Sequence, residues 1–143
     1  FGGSCDVNRL VLLALYHDCS EILTGDMPTP IKYYNPEIND AYKKVEAVAN
    51  EKLVSMLPED LRGDYRPLFC HENEDPELLR LLKAADKLSA LVKCIEEENA
   101  GNREFSKAKQ STLRAIEEMR LPEADAFVAE FLPSYGLTVD ELN

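Results

Sequence analysis

Two metal-grade side chains, His17 and Asp18, interrupt an otherwise apolar run, Leu10-Val11-Leu12-Leu13-Ala14-Leu15-Tyr16. A run apolar on every side predicts a helix buried all round. An ionised carboxylate is costly there unless it is paired, hydrogen-bonded or bound to a metal. Glu21 follows three residues after Asp18 and four after His17, so helical spacing projects all three side chains toward one surface. Imidazole with carboxylates is a mixed nitrogen and oxygen donor set that suits Mn, Co, Fe, Zn or Mg better than a soft metal. The competing reading makes His17 a satisfied core histidine and Asp18 a solvated charge at a helix end. An isolated His-Asp pair favours that reading, and only supporting carboxylates shift the balance.

Asp86 is such a carboxylate, placed on the flank of a long helix's apolar stripe and away from Lys83 and Lys87. A buried carboxylate there wants a cation, although a salt bridge or a neighbouring helix end would serve equally if Asp86 stood alone. Glu21 lies near a helix C-terminus, where negative charge opposes the macrodipole, and that conflict favours a functional reason for it. Asp26-Met27-Pro28-Thr29-Pro30 forms a third cluster, because two prolines around a threonine stiffen a loop that can hold polar groups in fixed positions. Its alternative is an ordinary interhelical connection. His71, beside Cys70 in an acidic loop, reads as structural or solvated.

The elements that must position these residues are helices. No convincing period-2 strand appears, and helical spacing recurs from end to end, so the class is all-α. Asp6 caps a first helix expected to run to about Leu23, where Thr24-Gly25-Asp26 breaks it. Asn35-Pro36 reads as an N-cap with proline at the first helical position. The amphipathic helix behind it carries Ile38, Ala41, Tyr42, Val45, Val48, Ala49, Leu53 and Met56 as its apolar face. Pro58 and Gly63 punctuate short helical turns, and Pro76 starts a long helix with the stripe Leu78, Leu82, Ala85, Ser89 and Val92. Asn102 and Pro122 open two further helices, and Thr138-Val139-Asp140-Glu141 is a capping-box pattern for a last turn.

At 143 residues the chain is expected to form a single domain, residues 1–143. Its 27 acidic against 16 basic residues give a formal charge of -11, which repels a phosphate backbone and argues against a nucleic-acid polymer or an anionic membrane surface as partner. A small phosphorylated substrate stays compatible where a cation supplies local positive charge. The apolar runs fall short of the roughly 20 residues that a membrane helix needs, and with no basic-then-apolar run ahead of the first helix the expectation is a soluble protein. Cys5, Cys19, Cys70 and Cys94 lack the paired short spacing of a zinc site and read as reduced, mostly buried cysteines of a cytoplasmic protein.

The order of these features resembles the HD-domain phosphohydrolases, and within them the bacterial 5′-deoxynucleotidases. The resemblance rests on Tyr16-His17-Asp18, Glu21, Thr24-Gly25-Asp26, Pro28-Thr29-Pro30 and Lys83-Ala84-Ala85-Asp86, with Lys32-Tyr33, Leu57-Pro58-Glu59, Lys93-Cys94-Ile95-Glu96-Glu97 and Ala100-Gly101-Asn102 extending it along the chain. His-Asp alone is weak, whereas the Gly-Asp-x-Pro-Thr-Pro loop with the spaced aspartate is much more specific. The resemblance implies an all-α HD-type helical bundle that removes phosphate from deoxyribonucleoside 5′-monophosphates with a divalent metal ion, and commonly a homodimer. It implies His17, Asp18 and Asp86 as metal ligands and Glu21 as the catalytic carboxylate near the attacking water. It also implies a substrate pocket lined by Asp26, Met27, Pro28 and Thr29, with Asp18 and Asp86 beside it.

One departure stands out. The family also uses a histidine and an arginine from a helix upstream of the His-Asp pair, and neither has a counterpart here. The chain is therefore expected to be N-terminally incomplete relative to the family, and by itself to bind metal weakly and turn over slowly. Two rival readings stay open: another HD branch acting on a different nucleotide, for which the Pro-Thr-Pro loop is the discriminating feature, and a non-catalytic helical binding module.

Overall fold

The structure, a computed structural model, describes residues 3–27 and 35–141. It is all-α, with no β-strand among the described residues. The chain divides into two compact units, Val7–Asp75 and Phe1–Asp6 with Pro76–Asn143.

The Val7–Asp75 unit contains α1 (Val7–Tyr16), α2 (Glu21–Thr24), α3 (Pro36–Met56) and α4 (Glu59–Phe69). The single helix expected to reach Leu23 is in fact broken at residues 17–20. There Cys19 N donates to Tyr16 O and Glu21 N to Asp18 O, three residues back rather than four, and the chain turns before α2 begins. Asn35 caps α3 as expected, its side chain accepting from Glu37 N at 2.8 Å with Pro36 in the first turn. Residues 59–69 form one continuous helix instead of short turns. Its Pro67 and Gly63 are accommodated because Leu68 and Phe69 are buried at its end, and packing overrides local propensity.

Burial also differs from expectation. Only Leu13 is buried in α1, while Val11 and Leu15 are 60% and 68% exposed. On α3 the expected stripe splits: Ala49 is buried, but Val45, Val48 and Met56 face out. Their apolar arcs are wider than the neighbours that cover them, since within this unit α1 meets α4, and α3 meets α2 and α4. Tyr16 closes the α1–α4 contact, with its ring centroid 5.7 Å from Tyr65 edge-on and 5.4 Å from Phe69.

The other unit is built on α5 (Pro76–Asn99), α6 (Ser106–Met119) and α7 (Pro122–Glu130). Its core is Ala84, Leu91, Ile116, Leu121 and Ala124, with Leu81, Leu88 and Leu113 packed against it. Ala85 and Ser89, expected inside, are exposed. Leu78 and Leu82 of the expected stripe are buried, but beyond them packing against α6 moves the covered face to the overlapping series through Ala84, Leu88, Leu91 and Ile95.

α5 ends in a Schellman arrangement. Gly101 adopts φ +88°, Gly101 N donates to Glu98 O at 2.9 Å, and Asn102 N donates to Glu97 O at 2.8 Å. A side chain at Gly101 would meet open space, so the requirement is purely conformational. Gly101→Ala is expected to lower unfolding free energy by about 1 kcal/mol, the cost of a left-handed non-glycine residue, measurable as a lower urea midpoint with an unchanged slope. The closing turn also forms as expected, with Thr138 N donating to Glu141 Oε2 at 2.8 Å.

Candidate metal centre

His17 and Asp18 occupy the turn between α1 and α2, at the end of the apolar helix rather than within it. The His17 ring is 2.7 Å from the Ala14 carbonyl through Nδ1, and Nε2 lies 3.0 Å from Asp18 Oδ2. A carbonyl oxygen can only accept, so Nδ1 carries the proton and donates. In the neutral tautomer Nε2 then presents a lone pair toward a carboxylate oxygen, itself only an acceptor. Two acceptors at this separation are stabilised by a cation between or beside them, either a proton or a metal ion.

The physical basis of the pair therefore differs from the expected one. Asp18 is 58% exposed and His17 27%, so burial cost does not single them out. Mutual orientation does. Asp86, expected on a buried flank, is exposed on α5 although Leu82, one turn before it, is buried: the covered face ends before Asp86 is reached. It belongs to the other unit. Glu21 opens α2 as its first residue and is half-buried. At a helix N-terminus its charge agrees with the macrodipole, which removes the conflict the sequence suggested.

Cys19 stands next to the pair, but burial and then the charge of Asp18 push its thiol above the ordinary range. Cys19 is only partly buried, as are Cys5 and Cys70, whereas Cys94 is buried; the expectation of mostly buried cysteines holds for Cys94 alone.

Beyond α2, Gly25 takes φ +71° and ψ 165°, a region open essentially only to glycine, and turns the chain into Asp26, which is exposed, and Met27, which is buried. Pro28 and Thr29 lie outside the described residues. The Gly25 carbonyl accepts from the Tyr42 hydroxyl and, at 2.9 Å, from Thr24 Oγ1. Spacing alone reads Tyr42 as one more member of α3's apolar stripe, and nothing in the sequence marks its hydroxyl as a fastening for the loop.

His71 and Arg9 have structural partners. His71 donates through Nε2 to Leu68 O at 3.0 Å, capping the end of α4 as a structural histidine. Arg9, the basic residue nearest the pair in sequence, is engaged by Glu74, with Nε to Oε2 at 2.8 Å, and by the Pro67 carbonyl. That hydrogen bond holds the Glu74 carboxyl below the usual carboxylate range.

Residues 1–135 match the family described as 5′-deoxynucleotidase YfbR-like. The chain is 48% identical over all 143 residues to 5′-deoxynucleotidase VV1113 of Vibrio vulnificus (strain YJ016), matching 74% of that protein's length. It is 48% identical, again across 143 residues and 74% of the relative, to a 5′-deoxynucleotidase of Vibrio cholerae serotype O1. A 5′-deoxynucleotidase of Yersinia pestis (strain Pestoides F) is 47% identical over the whole chain and 73% of its own length.

Proposed function

This chain belongs to the YfbR-like 5′-deoxynucleotidase family of the HD superfamily, and from that premise we infer that it is a metal-dependent phosphomonoesterase acting on deoxyribonucleoside 5′-monophosphates. The observation that carries the metal reading is the geometry of the pair: His17 Nε2 faces Asp18 Oδ2 at 3.0 Å while Nδ1 is turned to the Ala14 carbonyl. A histidine whose other ring nitrogen donates to a main-chain carbonyl is held in the tautomer and orientation that a ligand needs. By the family resemblance of Lys83-Ala84-Ala85-Asp86 we assign Asp86 as the second carboxylate, giving one imidazole and two carboxylates, a donor set suited to Co, Mn, Mg or Zn. When bound, such a cation supplies Lewis acidity to a phosphoryl oxygen and makes adjacent water more acidic.

The chain's own residues supply the rest. Glu21 takes a proton from the attacking water as its oxygen bonds to phosphorus. The bond between phosphorus and the 5′-oxygen breaks with its electron pair going to that oxygen, which takes up a proton from solvent water while Glu21 releases its own to solvent, and phosphate and a nucleoside leave. Asp26, Met27, Pro28 and Thr29 line the nucleotide pocket, with Asp18 and Asp86 beside the phosphate. The proposal includes a homodimer, supported by the apolar side chains Val11 and Leu15 that α1 leaves exposed. It also places the protein in the cytoplasm, where such nucleotides are found. No helix among the described residues is long and apolar enough to cross a membrane.

Phosphate release from dAMP tests the activity, and visible absorption of added Co²⁺ reports the site independently of turnover. Release should stop on chelation and return with Co²⁺ or Mn²⁺, and the Co²⁺ bands should change in His17→Ala. Release that persists after exhaustive chelation overturns the metal requirement. No release at saturating metal overturns the activity.

A further inference from the structure

The segment that leads from α2 into Asp26 turns on a residue with unusual freedom. Glycine at φ +71° and ψ 165° has no side chain to hold it, and a Cβ there would meet nothing within 4 Å. A loop that must present Asp26 to a ligand from such a hinge loses entropy on binding unless something else fixes the hinge.

Two hydroxyls converge on that position. Tyr42, six residues into α3, donates to the Gly25 carbonyl across a separation of 17 residues. Its oxygen also lies 3.2 Å from Thr24 Oγ1, which itself reaches the Gly25 carbonyl at 2.9 Å and Ser20 O at 3.2 Å. The Gly25 carbonyl is therefore held from the next helix as well as from its own. Fixing this carbonyl fixes the plane of the peptide that links Gly25 to Asp26, because the peptide unit is planar. The direction in which Asp26 leaves the turn follows from that plane.

We propose that Tyr42 is a positioning residue for the nucleotide pocket: its hydroxyl clamps the Gly25 carbonyl and so sets the orientation of Asp26 before substrate arrives. The proposal rests on the reading above that Asp26 meets the nucleotide. Tyr42 itself touches no reacting atom, so removing its hydroxyl acts on binding and leaves the chemical step intact.

Tyr42→Phe keeps the ring and deletes only the clamp. KM for dAMP should rise about 3- to 10-fold, the range that loss of one hydrogen bond gives, with kcat within about twofold of the parent protein. Amide exchange at residues 25–27 should quicken while exchange in α3 stays unchanged. Asp26→Asn, measured alongside, separates the two ideas. If Asp26→Asn raises KM and Tyr42→Phe does not, the clamp is overturned and the pocket reading stands. If neither moves KM, the pocket reading fails and the clamp falls with it. A drop in kcat together with faster exchange throughout α3 makes Tyr42 a structural support and also overturns the proposal.

Discussion

Asp18→Ala is expected to lower kcat/KM for a deoxynucleoside monophosphate by at least about 10²-fold. Loss of a group that merely orients a metal ligand typically costs 10- to 100-fold, and Asp18 is assigned here as a ligand itself. The substitution removes the carboxylate oxygen that lies 3.0 Å from His17 Nε2, so the imidazole loses its facing acceptor as well. Affinity for Co²⁺ or Mn²⁺ should fall in parallel, measured by titration without substrate. Asp18 is more than half exposed, so folding stability should change by less than about 0.5 kcal/mol, as for ordinary surface substitutions. Near-normal metal affinity in Asp18→Ala would remove it from the ligand set.

The second large effect is expected at Glu21. Glu21→Gln keeps the shape of the side chain and its place at the start of α2, but takes away the basic oxygen that receives the water's proton. Positioned proton transfer is worth about 10² to 10⁴-fold, and the loss should appear in kcat while metal binding and KM stay close to those of the parent protein. A kcat unchanged in Glu21→Gln would exclude general-base action by this residue. A lost metal signal would reassign it as a ligand.

Local signals in the chain decide the structure where short-range chemistry controls the outcome. Asn35 and Pro36 start α3, Pro76 and Pro122 start α5 and α7, and Thr138 with Glu141 closes the last turn. Each depends on hydrogen bonds or ring constraints within four residues, which the sequence contains in full. His17-Asp18 was legible for the same reason: adjacent residues stay adjacent however the chain folds.

The faces that become buried were decided elsewhere. The segment from Leu78 to Ile95 offers two apolar series of nearly equal quality, and only the packing partner α6 places Ala84 and Leu91 inside and Ala85 and Ser89 outside. Likewise the apolar run before His17 promised complete burial, yet only Leu13 achieves it in α1, since periodicity records what a face could bury and not what covers it. The turn at residues 17–20 was missed because helix-forming side chains on both sides outweigh the single imidazole that bonds to the Ala14 carbonyl.

The sequence by itself determined the helical class, the caps and the chemical types His17, Asp18, Glu21 and Asp86, all properties of residues and their near neighbours. Only the tertiary structure turned His17 so that Nδ1 donates to Ala14 O and Nε2 faces Asp18, and only it brought the Tyr42 hydroxyl to the Gly25 carbonyl. Such contacts depend on side-chain torsions and on helix placement, and spacing along a chain specifies neither.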